Sequence, residues 1–134
     1  MTEQFLFDSN IHVDVFRKDP AWLDWSHATI LACAEIGRLV INPIIYAEIG
    51  SRFETMAELD EVLLEYERLN LPWEAAFLAG KAFISYKLRG GTKTSPLPDF
   101  YIGAHALVSN LTLVTRDATR YRTYFPTLKI IAPN

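Results

Sequence analysis

Short apolar β-type runs alternate along this chain with longer segments patterned at helical spacing, and that alternation constrains its fold most tightly. Residues 4–7, 39–41, 112–115 and 129–131 read as strands. Residues 21–37, 72–89 and 99–109 carry apolar side chains at helical spacing, and 54–69 alternates charge and leucine in the same way. Asn42 before Pro43 supplies a cap and a first helical residue, opening a helix with Ile44, Ile45, Ala47, Glu48 and Ile49. Residues 90–98, rich in Gly, Thr and Pro, form a loop, and 121–125 connects the last two strands. Strands alternating with helices predict a mainly parallel central sheet covered on both faces, a three-layer α/β/α fold. With no internal repeat or long linker, 134 residues are expected to form a single domain, 1–134.

Composition narrows the class. Half the residues are hydrophobic, which excludes intrinsic disorder. The longest apolar runs, such as 30–34, fall far short of the ~18–20 residues of a membrane span. The opening residues lack the basic region and apolar core of a signal peptide, and Cys33, the only cysteine, cannot build a disulfide framework. A soluble cytoplasmic protein is expected. The net charge of −3 hides a division: residues 1–80 hold five basic and fourteen acidic side chains, residues 81–134 eight basic and two acidic. Those two acids, Asp99 and Asp117, stand alone in a basic half. The acids between Glu54 and Glu67 read as a solvated helix face.

In open α/β sheets the functional crevice lies beyond the carboxyl ends of the strands. Asp8 follows the first strand, Glu48 lies in the helix after the second, Asp117 follows the third, and Asp99, which opens the preceding helix, joins them if that helix feeds the third strand. Taken singly, each is an ordinary turn former, cap or surface acid; their joint placement predicts a carboxylate cluster. Two carboxylates ~4 Å apart repel by about 4 kcal/mol at an effective dielectric of 20, so such a cluster retains protons or takes a cation. Oxygen ligands without His or Cys point to Mg²⁺ or Mn²⁺, and these ions suit phosphate chemistry at an open crevice. Ser9, Asn10 and Thr115 are placed to orient the ligands.

These residues resemble a PIN domain. The resemblance runs through Asp8-Ser9-Asn10, Glu48, Pro98-Asp99 with the following Phe100-Tyr101-Ile102-Gly103-Ala104-His105-Ala106, and Leu113-Val114-Thr115-Arg116-Asp117. Arg120-Tyr121, Tyr124-Phe125-Pro126 and Ile130-Ile131-Ala132-Pro133 are similar to the toxin branch, the VapC-like ribonucleases of toxin–antitoxin pairs. The resemblance implies an endoribonuclease dependent on Mg²⁺ or Mn²⁺, leaving a 5′-phosphate and a 3′-hydroxyl. Asp8, Glu48, Asp99 and Asp117 would be its acidic set. Asp8, Asp99 and Asp117 would bind the metal most directly, with Glu48 a ligand or a water-positioning group. It also implies a homodimer and a small antitoxin whose C-terminal segment occupies the site. Arg120 stands where some branches carry a further acid, so a second full metal site would lack that ligand.

Arg89, Lys93, Arg116 and Arg120 are candidate contacts to an RNA backbone, the first two on the loop read as a mobile basic flap. That loop is not a P-loop, since Thr92 stands where Gly must precede Lys-Thr and no strand comes directly before it. Asn10 replaces the second Asp of a haloacid-dehalogenase phosphatase, and the paired acids and late Lys of a receiver domain are missing. His105 reads as a packed structural residue, and His12 and His27 lack ligand-spaced partners. Trp22, Trp25 and Trp73 are expected in the core or at a dimer interface. A housekeeping RNA-processing or DNA-directed nuclease and a non-catalytic binding module on the same fold remain as alternatives.

Overall fold

The side chains of β1 (Glu3–Phe7), the central strand of a five-stranded sheet, decide the layering. In the computed structural model, which describes residues 2–133, Leu6 belongs to one core and Phe5 and Phe7 to another. Successive strand residues point to opposite faces, so a run apolar at every position must be covered on both. The same partition separates Leu39 from Val40 in β2 (Gly37–Ile41) and Leu113 from Val114 in β4 (Thr112–Val114). Ile11 of α1 (Ser9–Phe16) and Cys33 of α2 (Leu23–Ile36) close the smaller core. The larger core takes side chains from α3 (Pro43–Gly50), α4 (Met56–Val62), α5 (Trp73–Leu88), α6 (Pro98–Val108) and α7 (Thr119–Tyr124). The three-layer α/β/α architecture is therefore the one the pattern predicts.

All strand pairs are parallel, in the order β3-β2-β1-β4-β5, with β3 (Glu67–Arg68) and β5 (Ile130–Ile131) at the edges. Because β2 lies on one side of β1 and β4 on the other, the winding reverses at β1. Beyond the carboxyl ends of β1 and β4 the two halves diverge and leave a crevice. Among the described residues no helix is long and apolar enough to cross a membrane.

Three local expectations change. Residues 9–16 form a helix that the hydrophobic pattern did not announce, started by the Asp8 carboxylate accepting the Ser9 N–H at 2.7 Å. The expected helix over 54–69 survives only as α4, capped by Thr55, whose Oγ1 accepts the Glu58 N–H. The chain then extends along the open edge of β2, where Leu69 N–H bonds Ile41 O at 2.9 Å and Arg38 pairs with Glu67. Unpaired backbone groups on a strand edge can draw in a segment whose own pattern is helical. Of the tryptophans expected in the core or at a dimer interface, Trp73 is 89% exposed, which removes the core and leaves the interface reading, whereas Trp22 and Trp25 are half-buried and stack edge to face.

α6 and α7 cross closely at Gly103, where a Cβ would come within 2.5 Å of the Phe125 ring and 3.1 Å of the Tyr121 ring. Asp99 lies one helical turn before Gly103, so this contact also fixes the distance between Asp99 and α7. Gly103→Ala is expected to destabilise the protein by about 1–3 kcal/mol through overpacking. In a thermal melt that is a fall of roughly 5–10 °C; an unchanged melting temperature would show that the crossing is loose.

Candidate active site

Asp8 ends the central strand and is almost fully buried, 5% exposed, with its N–H bonded to Val114 O across the β1–β4 pair. Burying a carboxylate is costly unless donors surround it, and here they do. Oδ1 accepts the Ser9 N–H at 2.7 Å; Oδ2 accepts the Thr115 hydroxyl at 2.9 Å and the Tyr121 hydroxyl at 2.8 Å. Burial nevertheless holds its pKa above the ordinary carboxylate value, and the nearby charge of Asp99 pushes the same way.

The other acids arrive from three further elements. Asn42 starts α3 by accepting the Ile45 N–H, and its amide lies 3.0 Å from Nδ1 of His105, a buried residue in the middle of α6. Glu48, in the second turn of α3, accepts the Ser9 hydroxyl at 3.0 Å. Its pKa is raised by burial and then by the charges of Asp8 and Asp99. Asp99 is the second residue of α6, after Pro98; its Oδ1 lies 3.3 Å from the Tyr121 hydroxyl and its Oδ2 3.5 Å from Arg120 Nη1. Burial raises its pKa, with Asp117 adding to the effect and Arg120 opposing it. Asp117 is exposed, and its Oδ1 accepts the Thr119 N–H at 3.4 Å at the entrance to α7. Asp8, Asp99 and Asp117 line one cleft of about 520 Å³ with Ser9, Asn10 and Arg120, while Glu48 reaches it through Ser9.

The neighbours expected to orient these groups are engaged with them. Asn10 donates to Thr115 Oγ1 at 3.2 Å and accepts the Arg116 N–H at 3.2 Å, clamping the turn after β4 to α1. Thr115 Oγ1 also accepts the Asp117 N–H at 3.2 Å, so one hydroxyl links both ends of the acidic set.

The basic candidates divide. Arg120 lines the cleft. Arg89 lies over the ring of Tyr124, another cleft residue, at 5.5 Å. Lys93 is exposed, but its loop folds back on Tyr86, whose hydroxyl accepts the N–H groups of Thr92 and Lys93, so the segment read as a free flap is tethered. Arg116 is a correction. Its guanidinium makes a bidentate pair with Asp14 at 2.9 and 3.1 Å and lies over Trp22, so it braces the scaffold instead of offering itself to a substrate. Asp14 is 1% exposed and also takes the Ser26 hydroxyl, and a buried carboxylate demands such a partner.

Two features escaped the sequence. The Asp14–Arg116 pair joins residues 102 positions apart, which no local pattern signals. Tyr121 looks like one apolar position of a short helix, with Phe125 one turn on, and nothing local reveals that its hydroxyl meets two carboxylates.

Among the described residues no three carboxyl, imidazole or thiol groups are grouped to hold a metal ion as they stand. The expected triad of Asp8, Asp99 and Asp117 is therefore not a closed cage. The donor chemistry still fits Mg²⁺ or Mn²⁺, because Mg²⁺ keeps several waters and commonly takes only one or two carboxylates besides substrate phosphate. Charges that raise one another's pKa inside a cleft provide the electrostatic demand for such a cation.

Comparison with known proteins follows the same lines. The family model of the PIN domain matches residues 5–126. Similar solved structures include VapBC2 from Rickettsia felis bound to a DNA fragment from its promoter, with TM-score 0.75 and 21% identity over 98% of this chain and 99% of that one. VapBC-1 from nontypeable Haemophilus influenzae gives 0.74 and 19% over 96% and 97%, and a toxin–antitoxin complex from Klebsiella pneumoniae 0.68 and 21% over 96% and 97%. At these identities the likeness is one of fold. No curated protein matches the sequence.

The raised carboxylate pKa values carry a sign. A carboxyl group whose folded pKa lies above its unfolded value favours the folded state at low pH and loses that contribution as pH rises through the folded value. Removing one charge should thus stabilise the chelator-treated protein near neutrality. Asp99→Asn is expected to melt roughly 2–4 °C higher than wild type at pH 7. The difference should vanish towards the ordinary Asp value of 3.8, where wild type is protonated too. A gain that is the same at both pH values would mean that repulsion is not its source.

Proposed function

The chain belongs to the PIN-domain family, and from that membership we propose that it is a Mg²⁺- or Mn²⁺-dependent endoribonuclease, the toxin of a toxin–antitoxin pair. The observation that carries this reading is the convergence of Asp8, Glu48 and Asp99 at the switch point of a parallel sheet. Each has a raised pKa, and Asp8 and Asp99 open on a cleft with Arg120. Asp8 and Asp99 would hold the cation, with Asp117 at the rim. Glu48, held by Ser9, would act as a further ligand or position the attacking water. When bound, the cation supplies Lewis-acid stabilisation of the charge that develops on the scissile phosphate.

This chain's own residues supply the rest. Thr115, Asn10 and Ser9 keep the Asp8 and Glu48 oxygens oriented, so little reorganisation is required when substrate binds. Arg120 at the cleft, with Arg89 beside it and Lys93 on the adjoining loop, would hold the RNA backbone through phosphate contacts that carry no sequence information.

VapBC2 of Rickettsia felis and the Klebsiella pneumoniae complex share this fold, and the second is described as a toxin–antitoxin complex. A small cytoplasmic antitoxin reaching the cleft fits both. Trp73, Phe77, Ile84 and Leu88 form an exposed apolar stripe down α5, which suits the interface of a homodimer.

Cleavage of RNA by the purified protein in Mn²⁺ or Mg²⁺ tests the enzyme. Activity is expected to disappear with chelator and to fall at least a hundredfold in Asp8→Asn and Asp99→Asn, on the order of 3 kcal/mol of lost transition-state stabilisation. Chelator-resistant cleavage would overturn the metal mechanism, and no cleavage of RNA by wild type would favour the binding-module alternative. Growth arrest on expression, relieved by an adjacent small gene, separates a toxin from a housekeeping nuclease.

A further inference from the structure

Among the described residues, Tyr121 is the buried side chain whose hydroxyl meets the carboxylates of two members of the acidic set; Thr115 meets one carboxylate and the Asp117 backbone. The Tyr121 hydroxyl lies 2.8 Å from Asp8 Oδ2 and 3.3 Å from Asp99 Oδ1, and the residue is 1% exposed. Its ring is held by apolar packing as well as by the bonds of its hydroxyl. One edge lies against Gly103 of α6, in the close crossing where Phe125 also approaches that glycine. Asp99 precedes Gly103 by one turn, so the helix that presents the carboxylate also seats the ring.

The hydrogen-bond accounting at Asp8 sharpens this. Oδ2 takes the hydroxyls of both Thr115 and Tyr121, which uses its two lone-pair directions. Oδ1 takes only the Ser9 N–H and keeps one direction free. Tyr121 thus determines which Asp8 oxygen is available and how far away the nearest Asp99 oxygen lies. Resting on the metal-dependent reading above, we infer that the Tyr121 hydroxyl is a positioning group that sets the Asp8–Asp99 spacing for a divalent cation. It touches neither substrate nor scissile bond and acts through the two carboxylates.

Tyr121→Phe removes the oxygen and keeps the ring, so the crossing at Gly103 stays filled. Titration calorimetry with Mn²⁺ on the RNA-free protein should give a dissociation constant about tenfold to a hundredfold higher than wild type, the range for losing a group that orients a metal ligand. The chelated variant should melt within a few degrees of wild type, and cleavage should return towards the wild-type rate at saturating Mn²⁺. In an Asp99→Asn background the same change should shift Mn²⁺ affinity by no more than about twofold, because the pair it spaces has gone. Unchanged Mn²⁺ affinity in Tyr121→Phe, or an equal loss in both backgrounds, overturns the inference and leaves the nuclease reading standing. Failure of wild type to bind Mn²⁺ at all overturns both.

Discussion

A carboxylate buried at the end of the central strand is the constraint on which the rest of this molecule depends. Asp8 lies where β1 stops, 5% exposed, and such a charge is tolerated only inside a shell of donors. The shell is assembled from far apart in the chain. Ser9 comes from the helix that Asp8 itself caps, Thr115 from the turn after β4, and Tyr121 from α7. The reversal of strand order at β1 places β4 beside it, and α7 follows β4 in the chain, so topology delivers all three donors to one point. The shell lowers the cost of the charge without cancelling it: burial and Asp99 still hold the Asp8 pKa up. That residual demand gives the cleft its use for a cation.

A second buried acid shows the opposite solution. Asp14 is as inaccessible as Asp8 but receives a full bidentate arginine, and the pair of Asp14 and Arg116 makes a brace between α1 and the turn carrying Thr115 and Asp117. Asn10 ties the same turn through Thr115 and the Arg116 backbone. One aspartate is neutralised by the protein and supports the scaffold; the other is left with hydroxyls and an amide, and stays available. The division of charge along the chain takes its meaning from this. Of the basic residues in the second half, Arg116 is committed internally, whereas Arg120 lies at the cleft.

Legibility in the sequence followed range. The strands at 4–7, 39–41, 112–115 and 129–131, the Asn42–Pro43 helix start and the placement of Asp8, Glu48 and Asp117 at one end of the sheet were readable, because each depends on residues a few positions apart; Asp99 joined them only on condition that its helix feeds the third of those strands. α1 was hidden because its inner face is partly polar, with His12 and Asp14 buried beside Ile11. β3 was hidden because the spacing of Leu59, Leu63, Tyr66 and Leu69 continues a helical rhythm, and only the open edge of β2 pulls the last of them into extended pairing. The three-ligand metal set came from residue type and order. In the folded chain Asp117 is exposed, and Tyr121 lies between Asp8 and Asp99.

By itself the sequence determined the layered parallel architecture and the carboxylate-rich end of the sheet. Side-chain period, capping residues and strand-end acids are local properties, and a parallel sheet converts them into position without further information. Tertiary structure alone decided which charges are used up and which remain. Whether an arginine reaches Asp14 or the cleft, and whether a tyrosine hydroxyl meets one carboxylate or two, depends on contacts across roughly a hundred residues of chain. Such contacts are settled by packing of the whole core, because a buried polar group takes the partner that the fold brings within reach.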